Sequence, residues 1–374
     1  MDWHGFPLFM KTESRTSLRE IAQKTGLSRM AVSLALRGKP GVSEATRKKV
    51  AKVAAKLGFS PDPEISKLLS RIGRRTGKGP VGCLALLTSG ENHGAWKKLP
   101  TEKKYVEGAE SRALEYGYRL EEFWLNDPAM PADRLAGILW NRGIEGVVVA
   151  PIQGRLVADS PRVLNFDFKR FSCVEISETV EQPDLDRAIH DQYISMQRSL
   201  RELARLGYST CGLVLERALD LRANGKWTAA FLEHRFSSPG NAGPPPLVLD
   251  DWDPKSFKRW FTRHRPDAIV SVDGFGLRLA EACGLSIPHD AAYATLDLDG
   301  EKDGPKNFAG IDQNSRFVGA GAIDVLVAAI QRGQTGPPAH PIRIEVEGVW
   351  VDGPSAPQCK RIDLHKVRRS LSVS

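Results

Sequence analysis

The sequence predicts an α/β protein in two parts: a small three-helix head, then a long core of doubly wound parallel sheet. Three observations lead there. Residues 17 to 57 hold three short apolar helix patterns separated by glycine and serine. From about residue 80 apolar runs alternate with amphipathic stretches, as stacked βαβ units do, over a length too great for one core. Charge is divided in the same way. Residues 1 to 80 carry 17 Lys+Arg against 6 Asp+Glu and the rest of the chain 36 against 39, so the net charge of +8 belongs to the head.

In the head, Ser17 followed by Glu20 makes a capping box, and Leu18, Ile21 and Ala22 recur along one helix face. Lys24-Thr25-Gly26-Leu27 closes this helix at a glycine turn. Ser28 caps the next, whose buried side is Ala31, Val32, Ala35 and Leu36, leaving Arg29, Met30 and Ser33 on the other side. A third helix starts near Ser43, buries Thr46, Val50, Val53, Ala54 and Leu57, and stops at Gly58. This spacing reads as a helix-turn-helix whose second helix, Ser28 to Leu36, enters a DNA major groove. A generic three-helix bundle is the alternative, and the focused positive charge favours a polyphosphate partner.

Asp62 and Pro63 suit the cap and first turn of a short hinge helix, and Arg71 to Gly79, with three glycines in nine residues, is a linker. In the core, strands are expected at Val81–Leu87, Tyr118–Phe123, Gly146–Ala150, Val174–Ile176, Cys211–Leu215, Ala268–Val272, Ala292–Leu296 and Ile342–Val351. Helices are expected at Tyr105–Tyr116, Arg134–Arg142, Tyr193–Leu206, Leu277–Ala282 and Phe317–Ile330. Gly and Pro dominate Ser237 to Pro246, which reads as a surface insertion.

The run Ser17-Leu-Arg-Glu-Ile-Ala-Gln-Lys-Thr-Gly-Leu-Ser-Arg-Met-Ala-Val-Ser-Leu-Ala-Leu-Arg-Gly, continuing through Val42-Ser43 and Thr46-Arg47 to Gly58-Phe59-Ser60-Pro61, resembles the head of the lactose-repressor (LacI/GalR) family. By that resemblance Arg29 and Met30 sit where the family reads base edges, and Ser28 where it holds a phosphate. Leu34 replaces an arginine frequent at its position. Ser17, Ser33, Ser43 and Lys67 complete the DNA-contacting set with Leu68, which falls where the family wedges a leucine into the central base step; a one-residue slip nominates Leu69 instead. The resemblance implies domains at 16–61 (head), 62–79 (hinge helix and linker) and 80–356, the last a two-lobed periplasmic-binding-protein-like core. Lobe 1 is then about 80–178 with 315–335, and lobe 2 about 179–314 with 340–352.

Ligands in open α/β sheets bind beyond the carboxyl ends of strands. Asp273, Arg222 and Trp252 follow such ends, and a carboxylate, a guanidinium and an aromatic face together suit a sugar or a nucleobase. By position all three match family ligand contacts, and Gln313 matches a fourth. A surface salt bridge with a partly buried tryptophan is the plainer account of the same residues.

Five scattered cysteines without a CxxC give neither a disulfide framework nor a zinc site. Asp250, Asp251, Asp253, Asp297 and Asp299 are more economically loop acids than cation ligands. Gly274-Phe-Gly276 lacks the third glycine of a dinucleotide fingerprint, and no GxxxxGK or Gly-x-Ser-x-Gly occurs. No cofactor, metal or catalysis is therefore expected. The expected protein is a cytoplasmic homodimer without membrane contact that binds a pseudo-palindromic double-stranded operator and a sugar-like effector, as a repressor of a carbohydrate-utilisation operon. An α/β solute-binding or enzymatic module fused to a DNA-binding head is the alternative. The tail from Cys359 lacks leucine heptads, which disfavours a tetramer. Met10 directly precedes the family-like start, so Met1 and Met10 both stand open as the first residue.

Overall fold

The computed structural model describes residues 18–28, 31–32, 35, 42–57, 82–153, 162–237, 243–301 and 304–359. In the head, α1 (Leu18–Thr25) and α2 (Glu44–Lys56) pack through Ile21, Ala22, Val50 and Ala54, with Val32 and Ala35 between them. Gly26 takes φ +69°, which lets the chain leave α1 sharply and start again two residues later. The carbonyl of Thr25, left over at the end of α1, accepts a bond from Lys49 Nζ at 3.0 Å.

The core holds two six-stranded sheets. The strands are β1 (Gly82–Thr88), β2 (Tyr118–Trp124), β3 (Gly146–Val149), β4 (Ser172–Ile176), β5 (Asp186–His190), β6 (Cys211–Glu216), β7 (Leu247–Leu249), β8 (Ala268–Ser271), β9 (Ala292–Thr295), β10 (Ala309–Asp312), β11 (Arg343–Val346) and β12 (Val349–Val351). Sheet 1 runs β11-β5-β4-β3-β1-β2 and is wholly parallel. Sheet 2 runs β12-β10-β9-β8-β6-β7 and is parallel except for β12, which pairs antiparallel with β10. Helices cover both faces, so strands such as Gly146–Val149 and Ala268–Ser271 are buried throughout and read as unbroken apolar runs.

The chain passes between the lobes three times. After β5 it enters α5 (Gln192–Leu206), whose Met196, Leu200 and Leu203 pack on sheet 2. After β10 it returns in α10 (Ser315–Arg332), whose Val318, Ala322, Ile323 and Leu326 pack on sheet 1 against Leu84 and Leu86. Between β11 and β12 it crosses a third time at Glu347-Gly348. Asn314 Nδ2 donates to the Glu347 carbonyl at 2.8 Å, and Asp191 N to the Val346 carbonyl at 2.9 Å, so the three passes are tied side by side.

The lobe limits differ from those expected. Sheet 1 extends to His190 rather than ending at 178, and it also takes Arg343–Val346. The cause lies in β5, Asp-Arg-Ala-Ile-His, which has three polar residues in five and yet is buried. Its Arg187 is neutralised by Glu175 Oε2 at 2.9 Å and by Asp184, while Glu175 also accepts from Thr179 N and Val180 N. A buried strand held by ion pairing carries no apolar signature. The segment expected as one strand at Ile342–Val351 divides into β11 and β12 on different sheets. Three further helices, α6 (Arg217–Arg222), α7 (Lys226–Ser237) and α8 (Pro254–His264), fill stretches where none was expected.

Candidate functional site

In the head, the local chemistry that places the second helix is visible at its start. Ser28 Oγ accepts from Ala31 N at 3.1 Å, and Ser43 Oγ does the same for Thr46 N at 3.2 Å, so both expected serines cap helices. The Ser43 hydroxyl also meets that of Thr46 at 2.8 Å, while an accepting serine such as Ser28 still carries the proton that a phosphate contact would use. Ser17, Arg29, Met30, Ser33, Leu34, Lys67 and Leu68 lie outside the described residues, as does the hinge helix.

In the core, the carboxyl ends of both sheets face one cleft. Helix α3 (Pro100–Glu115) begins five residues before the expected Tyr105, with Pro100 in its first turn. That extra turn carries Thr101, Glu102 and Lys104, and each meets lobe 2. Thr101 Oγ1 donates to Asp297 Oδ2 at 2.6 Å, Lys104 pairs with Asp299, and Glu102 accepts from Arg222 Nη2 at 3.2 Å. Arg222, at the end of α6, also donates through Nη1 to the Ile152 carbonyl at 2.8 Å. Gln153, in the same loop after β3, donates to Glu102. Beyond this cluster, Lys226 Nζ reaches Glu178 Oε1 at 2.8 Å and Arg162 Nη2 reaches Asn224 Oδ1 at 2.9 Å, again joining one lobe to the other.

The carboxyls in this seam are strongly perturbed. Burial lifts Glu102 to about 7, against the lowering effects of Arg222 and of the Gln153 amide. Burial likewise lifts Asp297 to about 7; the Thr101 hydroxyl pulls it down, neighbouring Asp299 pushes it up, and the Asp299 and Gly300 amides pull it down again. Two carboxyls that burial makes weakly acidic thus lie in the seam between the lobes.

The four expected ligand residues divide. Arg222 points into the cross-lobe cluster. Asp273 and Trp252 stand on the rim of sheet 2, where the Trp252 ring meets Phe275 edge-on at 6.2 Å. Asp273 is exposed with φ +51°, its carbonyl accepting from Arg278 Nη1 at 2.8 Å. Surrounding protein raises its carboxyl, Arg278 lowers it, and Glu301 and Glu216 raise it further. Gln313 is buried and donates to the Leu296 carbonyl at 2.8 Å, so it bonds to the base of the cleft. Sequence reasoning missed Thr101, Glu102, Lys104 and Gln153; the Leu99-Pro100 helix start was the signal that could have found the first three.

The loop acids take ordinary roles. Asp253 caps α8 by accepting from Lys255 N and Ser256 N, and Asp250 pairs with Arg217. Among the described residues no three His, Cys, Asp or Glu side chains are grouped to hold a metal ion, and no helix is long and apolar enough to cross a membrane.

A family model described as bacterial regulatory proteins, lacI family, matches residues 17–62. The match covers the head alone, whose residues 17–62 are thus similar to the lacI family of bacterial regulatory proteins. Solved structures of similar fold span both lobes. A transcriptional regulator CelR–cellobiose complex aligns with TM-score 0.53 and 19% identity over 91% of this chain and 100% of its own. The lac repressor dimer bound to operator and the anti-inducer ONPF aligns with TM-score 0.51 and 15% identity over 92% and 100%. A LacI-family regulator from Rhizobium etli, described as putative, aligns with TM-score 0.52 and 17% identity over 74% and 99%. No curated protein matches the sequence. The head is thus similar to the lacI family, and the mixed α/β core shares the fold of these solved regulators.

Proposed function

We propose that this protein is a lacI-family DNA-binding transcriptional regulator, a homodimeric repressor of a carbohydrate-utilisation operon, which binds a pseudo-palindromic operator through paired heads and a sugar or sugar derivative between its lobes. The observation that carries the reading is Arg222, rooted in lobe 2 yet bonded to the Ile152 carbonyl and to Glu102 of lobe 1. A ligand entering the cleft competes for these same partners and so has a differential affinity for open and closed lobes, which is what coupling to a second site requires. Asp273 and Trp252, on the rim of sheet 2, would complete the set with an acceptor and an apolar face for a sugar ring. The solved structures of similar fold include one complexed with cellobiose and a dimer bound to operator, in keeping with both halves of the proposal.

Readout is assigned to Arg29 and Met30. If Arg29 forks onto a guanine edge, Arg29→Ala costs about 1 to 3 kcal/mol on the operator and relaxes preference at one base pair per half-site. Gel-shift titration of operator and scrambled duplex checks this; an equal loss on both would make Arg29 a phosphate contact. The same titration with a sugar panel tests the effector half, and an operator affinity that no sugar changes would overturn it.

A further inference from the structure

Strand β6 turns its carboxyl end to the cleft, and at its opposite end, beside Cys211, a half-open cavity of about 40 Å³ lies between α5 and α7. Gln197 of α5 ties these helices side by side, its Nε2 donating to the Ala230 carbonyl at 3.2 Å and to Glu233 Oε2 at 2.6 Å. Past this tie both helices line the cavity, with Leu200 and Ala204 from α5 and Phe231, His234 and Arg235 from α7. Gly243 supplies bare backbone on the β6 side, where a methyl group would come within 3.1 Å of the Cys211 carbonyl. At the ~10–15 Å³ that one water-sized group needs, the space takes about three such groups, the heavy atoms of a carboxylate.

The wall carries positive charge and no acid. Arg235 Nε is buried and has no hydrogen-bond partner among the described residues, although the guanidinium is always charged. Its place in the last turn of α7 accounts for a cation there but leaves Nε unbonded. A buried donor left unmade is costly, and one edge of a guanidinium, Nε with an adjoining Nη, matches the two oxygens of a carboxylate. The acids of the neighbourhood are engaged elsewhere. Glu233 accepts from Gln197 and from Ser237 Oγ, and Asp267 from Ser209 N, Ser209 Oγ and Thr210 N. Two hydroxyls of the wall have also spent their protons, Ser209 on Asp267 and Tyr208 on the Pro357 carbonyl at 2.6 Å. The Cys211 thiol, which burial and then Asp267 push up to about 12, stays neutral. Arg235 is therefore the group of this wall that calls for a charged partner, with the His234 imidazole as a second donor and Leu200, Ala204 and Phe231 as apolar sides.

We infer that this cavity binds a small carboxylate, its oxygens forked on Arg235 Nε and the adjoining Nη and its short apolar end against Ala204 and Phe231. A cation is disfavoured by Arg235, and a neutral ligand leaves the guanidinium without a counter-charge. The site lies at the far end of β6 from the cleft, so it stands whether or not the cleft takes a sugar.

Titration of the full-length protein with acetate, read by saturation-transfer NMR of the ligand methyl signal, tests it against acetamide and acetamidinium, which have the same shape and a different charge. Acetate binds with a dissociation constant below ~10 mM, and the other two do not. Arg235→Met, which nearly keeps the length of the side chain and removes its charge, weakens acetate at least ~10-fold, the scale of one charge-assisted hydrogen bond. Ala204→Phe fills the cavity from an exposed position on α5 without touching its charge, has the same effect, and guards against a misfolded Arg235→Met. Acetate binding weaker than that limit, equal binding of acetamide, displacement of acetate by equimolar chloride, or acetate affinity unchanged in either variant overturns the inference.

Discussion

Glu102→Gln separates the proton from the contact in the cross-lobe seam. Glu102 is buried on α3, and its carboxyl is lifted from an ordinary 4.5 to about 7, chiefly by burial. The folded protein therefore holds this proton more tightly than the unfolded chain. Its contribution to stability is fully present below the ordinary value and is lost as pH rises toward 7. At about 1.4 kcal/mol per tenfold change in proton activity, the interval from 4.5 to about 7 corresponds to about 3 kcal/mol. Glutamine mimics the protonated acid: its oxygen can still accept from Arg222 Nη2, while its amide group replaces the oxygen that meets Gln153 and can donate to the Gln153 side-chain oxygen once that amide is turned over. The variant and the wild type should then unfold at equal urea concentrations near the acid end of this interval. Above it the variant should be the more stable by up to about 3 kcal/mol. Asp297 and Glu175, also raised to about 7, remain in both proteins and cancel in the difference. Urea unfolding followed by tryptophan fluorescence across the interval reads this directly. A stability difference that does not vary with pH would show that Glu102 does not carry the proton.

Three other outcomes are expected. Asp273→Ala should leave ligand-free operator affinity within about threefold, under 1 kcal/mol, while removing the shift caused by an effector; a variant that still responds fully would take Asp273 out of the site. Leu68→Ala should weaken operator binding and reduce DNA bending with the dimer intact, whereas loss confined to Leu69→Ala would move the wedge by one residue. Gly319→Ala should destabilise the core by at least about 3 kcal/mol, because a methyl there would run into the Tyr105 carbonyl where α3 crosses α10, as one on Gly108 would run into that of Arg316. Thermal unfolding unchanged in Gly319→Ala would mean that the two helices can part without cost.

The head was legible because its buried set is small, aliphatic and periodic: Ile21, Ala22, Val32, Val50 and Ala54 are all in the core as their spacing implies. The same holds for strands buried on both faces, such as Gly146–Val149. Where burial is achieved by pairing charges the pattern vanishes, and β5, with Arg187 between Glu175 and Asp184, is the case in point. α7 was missed for a related reason, since Trp227, Ala230 and Phe231 are buried while Phe236 on the same helix is exposed, which blurs the amphipathic stripe. In the cleft, strand ends pointed to Arg222, Trp252 and Asp273. On lobe 1, Thr101, Glu102 and Lys104 lie on the first turn of a helix, where no strand-end rule looks, whereas Gln153 follows the end of β3 and was within its reach.

The three passes between lobes also set an order of assembly on the ribosome. Sheet 1 has five of its strands once His190 has been made, but its edge strand β11 and the helix α10 that fills its core against Leu84 and Leu86 come only near the far end of the chain. Sheet 2 waits similarly for β12. During synthesis the apolar face of the first lobe is thus uncovered while the whole of the second is being translated, and it is long-range closure of this kind that makes nascent chains slow to fold and dependent on protection until release. The lobe begun first is among the last parts of the molecule to be finished.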